Sequence, residues 1–137
     1  MYYSSLGPGW CLPLLHSDWS QIKSIVKILQ PFKQQTDLLQ ASSLAMSQII
    51  PSLLELKLGL KDPNVNKQLS QLLYCSVNDR FACFLDPDSV DCDPLPAAAC
   101  LLDPSVWMCM LRDDMATLLT ASKCYIRRLV SKLSLSA

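Results

Sequence analysis

Four aspartates crowd one short stretch, Asp86, Asp88, Asp91 and Asp93. Carboxylates at that density are the residue type that holds a hard cation. The spacing fails the calcium-loop pattern. With Asp86 as position 1, position 6 is Asp91 instead of glycine and position 12 is Ala97 instead of glutamate. Pro87 and Pro94 break the stretch further, so a solvated loop is predicted. Zinc is served no better. His16 is the sole histidine, and Cys75, Cys83, Cys92, Cys100 and Cys109 stand eight or nine residues apart, too far for the chelating turns of finger sites. Nucleophilic catalysis needs a base within hydrogen-bond reach of a serine or cysteine. One histidine near the N-terminus makes no such pair, and the sequence predicts no catalytic residue, no metal ligand and no cofactor.

The cations are better organised. Lys123, Arg127, Arg128 and Lys132 gather at helical spacing near the end of the chain. They could lie along a phosphate backbone, each contact releasing counterions. The same cations would also complement the dipole at a helix C-terminus, a purely structural use. Only Tyr125 is interleaved with them, which does not support stacking on single strands. The apolar run Trp107-Met108-Cys109-Met110-Leu111 is a second candidate surface. Trp107, Met108, Met110 and Leu111 would form an interaction face there, against the alternative of a buried core segment.

The elements that must position these residues are helices. Half of the 137 residues are hydrophobic and 18% are charged, which predicts one globular domain. The formal net charge is zero, so whole-molecule steering toward nucleic acid is not expected. Seven cysteines, an odd number without a C-x-x-C pair, read as reduced thiols in nucleus or cytosol. No stretch approaches the roughly 18 apolar residues of a membrane span. Residues 1–16, with Gly7-Pro8-Gly9 and Pro13, make a poor signal peptide and are expected to be an unstructured leader.

Ser17-Asp18 is expected to cap a first helix carrying Ile22, Ile25, Val26, Leu29 and Phe32, kinked or divided at Pro31. A second apolar helix is expected from about Leu44 to Leu60, with the same problem at Pro51 and a stop at Gly59. Asp62-Pro63 should start a third, about six turns long, running through Phe84. The segment Pro96 to Leu102 reads as a buried helical turn or a brief strand. Asp113 and Asp114 should cap a last helix with Met115, Leu118, Leu119, Ile126, Leu129, Val130 and Leu133 on one stripe. The fold class is all-α, a single domain of about five helices, two of them kinked or split at proline.

An ordered set of short motifs adds to this. Trp19, Leu29-Gln30-Pro31-Phe32 with Thr36, Ile49-Ile50-Pro51 with Leu53 and Leu56, Arg80-Phe81 and Leu101-Leu102-Asp103-Pro104 follow one another. The set, over roughly residues 15–110, resembles the helical region of hAT-family transposases, as in vertebrate zinc-finger proteins with a C-terminal hAT-like domain. The family commonly continues Leu-Asp-Pro with a basic residue and an aromatic, where this chain has Ser105-Val106-Trp107. Asp103 therefore reads as a cap or turn residue. The resemblance implies helices beside a ribonuclease-H-like sheet, whose two aspartates and one glutamate hold the catalytic metals. It implies that this chain starts after the second aspartate and stops before the glutamate. The only glutamate here, Glu55, matches no motif position.

The expectation is thus a non-enzymatic, transposon-derived nuclear module, with a protein partner or a homodimer covering an orphaned apolar face. The alternative is a DNA-associated module using the basic last helix. No membrane and no small-molecule substrate are expected.

Overall fold

The computed structural model describes residues 15–41, 45–62 and 66–136, and these are all-helical without a strand. Six α-helices follow in order: α1 (His16–Leu39), α2 (Ile49–Gly59), α3 (Lys67–Arg80), α4 (Ala82–Leu85), α5 (Leu95–Leu102) and α6 (Ala116–Ser136). Tight 3₁₀ turns stand at Met46–Gln48, Trp107–Leu111 and Asp113–Met115. The leader expected over 1–16 lies outside the described residues as far as residue 14. His16, the last residue of that span, is the first residue of α1.

Helix α2 joins two small cores. Ile50, Ser52, Leu53, Leu54 and Leu56 are all buried, so this helix is apolar nearly all round and needs neighbours on more than one side. Ile50 and Leu54 join Ala97, Cys100, Met110, Met115 and Leu118 in a core centred on α5. Leu56 and Leu60 meet Ile28 of α1 and Val77 of α3 in the other, flanked by Phe32, Leu69, Leu73, Tyr74 and Phe81. Small side chains on α5 let its neighbours approach closely: Ala97, Ala98 and Cys100 are buried there. The choice between a helical turn and a strand is settled by its ends. Asp93 accepts the Leu95 amide at 3.0 Å, and Pro96 falls in the first turn, where no amide is needed.

The two prolines behave differently from each other. Pro31 lies inside α1, which continues undivided from His16 to Leu39. Pro51 is the third residue of α2, where a missing amide has no intrahelical partner to lose. It begins a helix and does not kink one. Gly59 is the last residue of α2, as expected of a stop, but it ends the helix without a left-handed backbone. A Cβ at Gly59 would lie 2.8 Å from Cγ of Pro31 and 3.3 Å from its Cβ. The glycine lets α1 and α2 close on each other.

Four helix boundaries also depart from expectation. Asp18 is the third residue of α1, and its carboxylate turns back to accept the Leu15 amide at 3.0 Å. Asn66, not Asp62, caps α3, its Oδ1 accepting the amides of Gln68 (3.1 Å) and Leu69 (3.3 Å). The restart read at Pro63 lies outside the described residues. Phe81, at φ −108° and ψ 17°, interrupts the long third helix and divides it into α3 and α4. Ahead of α6, Asp114 holds Arg112 through two bonds of 3.1 and 3.2 Å. Arg112 holds the N-cap position of the 3₁₀ turn at Asp113–Met115, so the two aspartates stand in its first turn and not at the cap as expected.

Candidate interaction surfaces

Helix α1 buries a narrow face that most of its large apolar residues do not share. Ile28 and Gln35 are buried, with Pro31 and Phe32 partly covered beside them. Gln35 donates from Nε2 to Glu55 of α2 at 2.9 Å, which gives that glutamate a structural partner. At about 100° per residue, Trp19 and Val26 fall on nearly the opposite side of the helix from Ile28. Leu15, Trp19, Ile22, Val26 and Leu29 are between 40% and 67% exposed. Their separations run four, three, four, three. That alternation averages 3.5 residues, the repeat of a seam that packs against another helix. The expected core face of α1 is therefore rotated: Ile22, Ile25, Val26 and Leu29 point away from the core, and only Phe32 approaches it.

The Trp107–Leu111 run is divided. Met110 is fully buried in the α5 core, whereas Trp107, Met108 and Leu111 are exposed. With three residues per turn, Met108 and Leu111 fall on one exposed row, while Met110 turns inward on the row it shares with the less exposed Trp107. Met110 therefore leaves the candidate face. Asp103, just ahead of this run, closes α5 and ties its end down. It accepts from the Ser105 hydroxyl (2.6 Å), the Ser105 amide (2.9 Å) and the Ser47 hydroxyl (2.6 Å). The Ser105 and Ser47 bonds stabilise the carboxylate and hold its pKa below the ordinary value.

Helix α6 starts inside the core and runs past it. Leu118 is 4% exposed, Leu129 39% and Val130 56%, so one stripe passes from covered to uncovered. Ser122, buried in that stripe, is satisfied by donating to the Leu118 carbonyl at 2.7 Å. Lys123, Arg127, Arg128 and Lys132 are all exposed, and α6 contains no acidic residue. The two ion pairs among the described residues, Lys33–Asp37 and Arg112–Asp114, involve none of the four. Around the helix, Lys123 and Arg127 flank one edge of the apolar stripe and Arg128 and Lys132 the other.

The acidic loop is occupied with its own backbone. Asp86 accepts the Asp88 amide at 2.9 Å, and Asp93 caps α5. Among the described residues, no group of three or more His, Cys, Asp or Glu side chains converges as a metal site would require. A shallow groove of about 330 Å³ is lined by Leu60, Lys61, Lys67, Gln71 and Tyr74. Lys57 and Lys61 sit 5.3 and 5.4 Å from the Tyr74 ring centroid. Burial pushes the Tyr74 phenol up, but the two ammonium groups and its hydrogen bonds outweigh that and set it below its ordinary value.

No family model, no curated protein and no solved structure matches this chain. Among the described residues, no helix is long and apolar enough to cross a membrane. The seam on α1 was missed because Ile25 and Phe32 blend into it when apolar residues are simply collected. The alternating separations of Leu15, Trp19, Ile22, Val26 and Leu29 were the signal that singles it out.

Proposed function

We propose that this chain is a non-catalytic, transposon-derived nuclear module for protein interaction, related to the helical part of an hAT transposase domain. The observation that carries the interaction reading is the uncovered 3.5-residue seam of α1. Four large apolar side chains on one line of an exposed helix, Trp19, Ile22, Val26 and Leu29, with Leu15 just ahead of them at the N-cap, contribute stability when another helix covers them, at about 25 cal/mol per Å² removed from water. A second copy of the chain is the simplest such partner. The transposon-derived part rests on the motif order. Ile49-Ile50-Pro51 opens α2, Arg80-Phe81 stands at the α3–α4 break and Asp103 at the end of α5, whereas Trp19 and Leu29-Gln30-Pro31-Phe32 lie within α1. All six described cysteines are free thiols, in keeping with a reducing compartment.

Size-exclusion chromatography with light scattering, at low and moderate salt, tests this. The wild type should run as a dimer or larger assembly, and Val26→Lys should run as a monomer of unchanged helix content. A compact wild-type monomer at both salts would overturn self-association.

One observation favours a second reading, DNA association: the four α6 cations are exposed and make no ion pair among the described residues. It expects salt-sensitive retention on DNA that is lost in Arg127→Glu/Arg128→Glu. Retention unchanged by that charge reversal would remove it.

A further inference from the structure

Cys100 and Cys109 are nine residues apart in sequence, yet their Sγ atoms stand 3.4 Å apart. Cys100 closes the last turn of α5 and is fully buried, while Cys109 sits in the Trp107–Leu111 turn and is partly open to solvent. We propose that Cys100 and Cys109 are a two-thiol modification site, which a peroxide-class oxidant converts reversibly to a disulfide. The sulfurs already touch, so a bond of about 2.05 Å requires only a small closing movement of two short side chains. Both thiols border the α5 core, and the Trp107–Leu111 turn that carries one of them has its own exposed row at Met108 and Leu111.

The order of events follows from the surroundings. Burial, with the Cys109 contact second, pushes the Cys100 thiol up to about 12, so Cys100 stays protonated and is a poor first nucleophile. Cys109 is the sulfur that solvent-borne peroxide can reach. It attacks one peroxide oxygen, the O–O bond breaks, and Cys109 sulfenic acid and one water are formed. Cys100 sulfur then displaces the sulfenic oxygen, and its proton leaves with that oxygen as a second water. Two thiols lose two electrons, and peroxide gains them. The product ties α5 covalently to the Trp107–Leu111 turn.

The test uses the full chain carrying Cys11→Ser, Cys75→Ser and Cys124→Ser, which removes Cys11 and the two exposed thiols among the described residues. Dilute reduced protein is treated with hydrogen peroxide, digested by a protease that cuts before aspartate, and mapped by mass spectrometry. Cleavage before Asp103 separates the two cysteines, so a linked pair of peptides is diagnostic. The expected result is a Cys100–Cys109 link that a thiol reductant reverses and that Cys109→Ser abolishes, with helix content retained in that variant. A link from Cys100 to Cys92 or Cys83 instead overturns the proposal. So does oxidation of Cys109 to the sulfinic or sulfonic acid without any link, or no reaction at either cysteine.

Discussion

At the scale of single residues, Asp103 accepts three hydrogen bonds through its carboxylate. Its carboxylate gathers Ser47 from a turn 56 residues away together with its own neighbour Ser105. A carboxyl whose folded pKa lies below its unfolded one contributes stability that is present above the unfolded value. That contribution disappears as pH falls through the lower folded value. Acid unfolding followed by circular dichroism should therefore show wild type losing an increment of stability below about pH 4 that Asp103→Ala lacks. Ser47→Ala should lower the melting temperature by a few degrees at neutral pH, because a hydrogen bond to a charged oxygen is lost. The cap-or-turn reading of Asp103 was legible in the sequence, since Asp-Pro after an apolar run marks a helix end. The bond to Ser47 was not legible, because nothing local to either residue signals a partner so far along the chain.

At the scale of elements, the long helices were written in the apolar spacing, while α5, the α3–α4 break and the face each helix buries were not. Periodicity locates an amphipathic stripe but does not say whether neighbours or solvent will meet it, and α1 shows the second outcome. Gly59 teaches a related lesson: the sequence marked it as a helix stop, and α2 does end there, but its close approach to the Pro31 ring was not legible. Gly59→Ala should destabilise the fold by roughly 1 kcal/mol in denaturant titration. An overpacking penalty of about 1–3 kcal/mol exceeds the gain of up to about 1 kcal/mol from replacing a helical glycine. Along α6, truncation should report position along one stripe. Leu118→Ala should cost about 2–5 kcal/mol, whereas Val130→Ala should change stability by less than about 0.5 kcal/mol.

At the scale of the whole molecule, two small cores meet through α2, and two long helices extend beyond them. Fold class followed from composition and spacing, but how the cores divide depended on which side chains α2 shares between them. If the α1 seam is an interface, Trp19→Ala should leave the melting profile of the monomer within about 0.5 kcal/mol of wild type while raising the concentration needed for assembly. Sedimentation across a dilution series measures both. The overhanging end of α6 has one more consequence. Isolated helices shorter than about 12–15 residues are marginal in water, and the turns after Ile126 lean mainly on their own backbone bonds. Their amides should exchange with deuterium through local opening, far sooner than those around Leu118. Any ligand that settles on this end would slow that exchange strongly while barely moving the thermal midpoint, so isotope labelling rather than calorimetry is the assay that would notice it.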